Sequence, residues 1–257
     1  MGWLGSVWSS VCSVVSSACS SVCSVVNSVC STLGSLGSSI GGAVEKFVSV
    51  LDVALPRLGT VLYTISLVAS IVSEIAEFLG LKEQNKDKPE ELALKAEISD
   101  LKPENFDSIE AYIKHLQEKI DLSDEDRSKL GDREKRAAYQ ATGTYLYAKG
   151  IGEKLGLETE GWKNPELTGV TADILADLAI LNKVIRPAEF VAYCRHLHSA
   201  GLTMDDFSNY LHGRSKDIML DKKVQNAIAG SMMELDPSLT ESDIDRKLYE
   251  LNIKDKN

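Results

Sequence analysis

At 257 residues, with 44% apolar and 26% charged side chains, the chain is long enough to bury one or two cores, and its formal net charge is −10. A balance that acidic excludes nucleic acid as the expected partner, because phosphate binding needs a positive face. The charge is unevenly placed. No charged side chain precedes Glu45, residues 1–81 hold only Lys46 and Arg57 against Glu45, Asp52, Glu74 and Glu77, and every other charge lies beyond Leu81.

The amino-terminal stretch repeats. Val11 to Ser21 (VCSVVSSACSS) matches Val22 to Thr32 (VCSVVNSVCST) at eight of eleven positions, and the register runs back to Trp3 and forward through Ala43 into Val44–Ala54. Eleven residues make three helical turns, so the period predicts a long, nearly straight helix with slight right-handed drift. At helical spacing Trp3, Leu4, Val11, Val15, Val22, Val29, Leu33, Leu36 and Ile40 form one face, and Ser9, Ser13, Ser17, Ser20, Ser24, Ser28, Ser31 and Ser35 form the opposite one. Cys12, Cys19, Cys23 and Cys30, continued by Gly34, Gly37 and Gly41, make a narrow edge of small residues between them. Glycines from Gly34 to Gly42 are a candidate bend, since each costs about 1 kcal/mol in a helix interior.

A water-exposed helical face is normally built from Lys, Glu, Arg and Asp. A hydroxyl face with no charge at all points instead to low-dielectric surroundings, where backbone groups must be satisfied within the helix and small residues let neighbouring helices approach closely. The expected arrangement is a homo-oligomer in a lipid bilayer. Its Val, Leu and Trp side chains face lipid, its Cys/Gly edges meet between copies, its serines line a wet lumen, and Glu45, Lys46 and Asp52 stand at one mouth. In composition the segment resembles designed Leu/Ser channel peptides, and its uncharged polar face is similar to lipid-packing sensor helices that lie flat on membranes. A bundle of such helices inside a tube or filament is the alternative that needs no lipid.

Neighbouring cysteines seven apart on one helix are roughly 10 Å apart along the axis, too far to bridge within it. They are expected as small, soft hydrophobes and not as a disulfide framework. No Lys or Arg precedes the apolar stretch, so a cleaved secretory signal is not expected. Membrane association, with secretion or delivery into a target membrane by another route, is the expected localisation. A chaperone or immunity protein covering the apolar segment is a further partner of this pattern.

Leu55-Pro56-Arg57 marks a bend, since proline disfavours helix at the preceding residue. Leu58 to Ser73 is uncharged, and with EIAEFLGL to Leu81 it carries apolar residues at helical spacing. It is short of the roughly 20 residues a span needs. It is expected either as the second arm of a helical hairpin or as a helix packed along the first. The charged stretch KEQNKDKPE at 82–90 is the expected linker, dividing a membrane-active unit at 1–81 from an acidic domain at 91–257.

That domain is expected to be helical throughout, over Pro89–Leu101, Pro103–Leu122, Asp124–Leu155, Pro165–Ile185, Pro187–Ala200, Thr203–His212, Asp217–Leu235 and Ser238–Leu251. Prolines sit near several first turns, and Ser123 with Asp126 and Thr240 with Asp243 are capping signals with Asp in the Glu/Gln position. No alternating β-branched run suggests a sheet, so the fold class is all-α.

The sequence around Cys194, His196 and His198, with Asp205, Asp206 and His212 nearby, is the most catalytic-looking cluster. On a helix Cys194 and His198 share a face while His196 points elsewhere, so the set does not converge as metal ligands or a Cys/His pair should. A buried cysteine beside surface histidines is the expected arrangement. The glycines of AKGIGEKLG (Ala148–Gly156) lack the strand before and the Gly-Lys-Ser/Thr after that a phosphate loop needs, and are expected to end a helix. Paired acids such as Asp205-Asp206 suit helix starts, where the macrodipole favours negative charge. Neither an enzyme activity nor a cofactor is expected.

Overall fold

The computed structural model describes residues 40–53, 58–84, 86–157 and 169–253. Among these the chain is all-helical, with eleven α-helices, two 3₁₀ turns and no strand. They are α1 (Ile40–Val53), α2 (Leu58–Phe78), α3 (Pro89–Ile98), α4 (Ile109–Lys119), α5 (Asp124–Ser128), α6 (Arg133–Lys154), α7 (Ala172–Ile180), α8 (Pro187–Ser199), α9 (Met204–Leu211), α10 (Ile218–Leu235) and α11 (Glu241–Leu251).

The centre is α6. Its run of small residues, from Ala137 through Ala141 and Gly143 to Gly152, lets α1, α2, α3 and α4 all pack against it, and most of its residues are buried. At Gly143 a Cβ would fall 1.8 Å from the Pro89 carbonyl oxygen, so α3 crosses α6 at the one residue type that leaves room. Gly150 is nearly as tight, with a Cβ position 3.0 Å from Ile113 Cδ1 on α4. Of the expected helix-ending glycines, Gly156 ends the helix at φ +70°, whereas Gly150 and Gly152 lie inside it as packing surface.

Two expected helices are divided and a third is shortened. Asp124–Leu155 breaks because Ser123 caps the short α5, the chain tightens into a 3₁₀ turn at Lys129–Gly131, and the Asp132 side chain accepts the Lys135 N–H at 2.8 Å to start α6. Pro103 opens only a 3₁₀ turn; Ser108 then caps α4 by accepting the Ala111 N–H at 3.0 Å. α7 starts behind Thr171 and stops at Ile180, where Leu181–Val184 turn the chain, while Pro165 lies outside the described residues.

The Asp-containing caps form reciprocally. In Thr203/Asp206 the Thr203 N–H reaches the carboxylate at 2.8 Å and the Asp206 N–H reaches the hydroxyl oxygen at 3.1 Å, and Ser123/Asp126 and Thr240/Asp243 repeat the pattern. Asp thus substitutes for Glu without loss of either bond.

One hydrophobic core runs through the molecule, from Val44 and Phe47 of α1, through Val61, Ile65, Val72 and Ile75 of α2, to Ile253. It is continuous across the charged stretch 82–90, where Leu81 and Lys82 are buried and Lys95 Nζ pairs with Asp87 at 2.9 Å. Helices α1 and α2 each lie against α6, and neither makes its main contact with the other.

Candidate functional site

The predicted lumen residues Ser9, Ser13, Ser17, Ser20, Ser24, Ser28, Ser31 and Ser35 lie outside the described residues, as does the lipid face from Trp3 to Leu36 and the edge from Cys12 to Gly37. The side chains of Ile40, Lys46 and Asp52 lie outside them too. Helix α1 is unbroken through Gly41 and Gly42, Glu45 is exposed on it, and Val44 and Phe47 turn inward. The narrow side at Gly41 faces the same chain: a Cβ there would stand 3.3 Å from Glu97 Oε1.

Helix α2 is the described element closest to the membrane expectation. Val61–Phe78 is long and apolar enough to cross a bilayer by length and composition, and half of that stretch is buried in the fold. Val61, Leu62, Ile65, Val68, Val72 and Ile75 face the core; Tyr63, Ser66, Ser70, Glu74 and Phe78 face out. Each of these six buried aliphatic side chains favours the packed position by about 2 kcal/mol. In water α2 is therefore a core helix, and it can leave only for surroundings that keep those side chains dry. Its carboxyl end is tied by a Glu77–Lys82 ion pair and by Gly80 at φ +71°, which ends the helix.

Beside the first turns of α2, an open groove of about 400 Å³ is lined by Tyr63, Ser66, Arg133, Arg136 and Gln140. Ser66 Oγ donates to Gln140 Oε1 at 3.1 Å, and Arg136 grips the buried Glu90 carboxylate at 2.9 Å. A second groove, of about 360 Å³, lies between Phe78 and the facing sides of α8 and α10.

The cluster around Cys194 is structural. Its thiol is fully buried 3.8 Å from Met204 Sδ, and burial raises its pKa above the ordinary thiol value, which disfavours the thiolate. His196 Nε2 lies 2.6 Å from Glu234 and joins α8 to α10, while His198 is exposed. No group of three or more potential metal ligands occurs among the described residues.

Two polar hubs escaped the sequence reading. Buried Asp177 on α7 accepts the Ser208 hydroxyl at 2.7 Å and meets His212 Nε2 at 2.6 Å, while an Arg214 nitrogen donates to Ser208 Oγ at 3.2 Å. Catalytic Ser/His/Asp sets place the imidazole between hydroxyl and carboxylate. Here the carboxylate is in the middle, so the set ties α7 to α9 and activates nothing. Glu189 on α8 is the second hub, held by the Arg186 guanidinium at 3.1 Å and by Lys247 of α11 at 3.2 Å. The links across helices, Asp177 to Ser208 and His212 and Glu189 to Lys247, carry no spacing signal, whereas Arg186 and Glu189 lie three apart at one helix start.

Comparison with protein-family models, curated protein sequences and solved structures gives no match.

Proposed function

We propose that this chain is a membrane-inserting, oligomerising α-helical protein whose copies form a pore with a serine-lined lumen, as a toxin or effector would. The observation that carries the reading is the charge-free eleven-residue repeat before Glu45, with one apolar face, one hydroxyl face and one small-residue edge. A bilayer accounts for all three features, since lipid takes the first, a shared lumen the second and close helix contact the third. Helix α2 supports it as a second apolar helix of spanning length, stored against α6 until lipid replaces that packing. In this reading the protein acts by insertion, not by catalysis, and works at a membrane to which it is secreted or delivered.

The test is dye release from liposomes by the full-length protein, with Gly37→Leu and Cys23→Phe as variants. Release that both variants suppress while the helical fold is retained is expected. Release that neither variant changes would remove the small-residue edge from the mechanism.

A second reading is favoured by the deep burial of α2, which never needs to move if the amino-terminal helices bundle into a tube or filament. Regular soluble assemblies without dye release would select it. Binding to small vesicles without leakage would select a flat-lying lipid-packing sensor.

A further inference from the structure

Among the exposed large apolar side chains of the described fold, Ile218 and Met219, 83% and 66% exposed, stand next to each other at the first two positions of α10. Cations surround them. Lys216 precedes the helix, Lys222 and Lys223 follow one turn later on the same faces as Ile218 and Met219, and all three are exposed. None of the three lysines meets a carboxylate within ion-pair distance among the described residues, in a chain whose net charge is −10. Of the two acids in this stretch, Asp217 is spent on its own helix, accepting the Met219 and Leu220 N–H groups at 2.8 and 3.3 Å, and Asp221 is half-buried. The opposite side of α10 is anchored by Val224, Ala227 and Ile228, so the pair cannot turn inward.

We propose that this prow, Ile218 and Met219 ringed by Lys216, Lys222 and Lys223, docks the folded protein on an anionic phospholipid surface. The two apolar side chains enter the headgroup boundary while the lysine stems lie alongside and hold their ammonium groups at the phosphates. Charge complementarity selects the partner: the three cations make no ion pair among the described residues, and an anionic leaflet supplies the counter-charge. An RNA or a soluble polyanion would satisfy the lysines but leave the apolar pair in water. The prow supplies an electrostatic contact that the charge totals hid. It shares with the function proposed above the choice of a bilayer but not the pore, and it lies far along the chain from the segments assigned to insertion.

The test is flotation of the full-length protein with phosphatidylcholine vesicles, with and without phosphatidylserine, alongside dye release in the same samples. Phosphatidylserine should strengthen binding, and Lys216→Gln/Lys222→Gln/Lys223→Gln should cut that gain by about a hundredfold, less as salt is added. Ile218→Ser/Met219→Ser should weaken binding by about tenfold or more. All five side chains are exposed, so both variants should unfold at the wild-type temperature. Serine-lipid-dependent binding that the variants reduce, without dye release, keeps the prow and sinks the pore. Dye release with binding that both variants leave unchanged does the reverse. Equal binding to neutral and anionic vesicles, or loss of heparin binding in the lysine variant with no loss of vesicle binding, would overturn the proposal.

Discussion

A methyl group on Gly143 would lie 1.8 Å from the carbonyl oxygen of Pro89, so the crossing of α3 over α6 exists only because position 143 has no side chain. The atom in the way is backbone, at the first turn of α3, and cannot swing aside. Gly143→Ala should therefore cost about 3 kcal/mol, the upper end of overpacking effects. Gly59, near the start of α2, has nothing within 4 Å of its Cβ position, and there Ala should stabilise by about 0.5 to 1 kcal/mol. Urea titration of both variants checks the pair; equal effects would misplace the α3–α6 crossing.

Removal of the Asp177 carboxylate takes the acceptor from the Ser208 hydroxyl and the partner from the His212 imidazole together. Asp177→Ala should destabilise by about 3 kcal/mol, the loss of two hydrogen bonds to a buried carboxylate, whereas Ser208→Ala should cost about 1. Thermal unfolding reads both. An Asp177→Ala protein as stable as the parent would mean that α7 and α9 are joined by apolar contact alone.

Glu189 supplies a pH dependence. Burial pushes its pKa up, but the Arg186 guanidinium and N–H and the Lys247 ammonium together outweigh that and leave it below the ordinary carboxylate value. A depressed folded-state pKa means stability that is present above the unfolded value of about 4.3 and is lost as the pH falls through the lower folded value. Glu189→Gln should therefore be less stable than the parent at pH about 6, and the gap should close toward pH about 3. A gap that stays constant across that range would show the carboxylate is unperturbed.

If α2 leaves the core for lipid, α6 loses a packing partner along its length. Hydrogen exchange should find the α6 amides strongly protected in buffer and faster by at least about tenfold once the protein is bound to vesicles. Dye release with unchanged α6 protection would mean that α2 stays in place and the segment before Glu45 acts alone.

The all-helical class was legible because apolar residues recur at helical spacing nearly everywhere and no alternating run competes. Caps were legible too, as Ser123/Asp126 and Thr240/Asp243 show, since a cap is a local bond between residues three apart. The break at Gly131–Asp132 was not, because helical patterning continues on both sides and only the Asp132 cap separates them. Nor was the centrality of α6, which is buried on most sides and so displays no single apolar stripe. Asp177 and His212 are 35 positions apart, and packing alone brings them together. The contact of α1 and α2 with the small-residue surface of α6 was not legible either, and most of the first arm of the expected 1–81 hairpin lies outside the described residues. The serine face, from Ser9 to Ser35, lies outside the described residues, and its role rests on the repeat alone.

Current through a planar bilayer exposed to the full-length protein tests the pore most directly. Discrete steps with weak ion selectivity, shifted by reversing the charges at Glu45, Lys46 and Asp52, are the expected result. A bilayer that stays silent at protein concentrations where vesicles bind it, or steps whose selectivity ignores those three reversals, would contradict a lumen built from the amino-terminal helices.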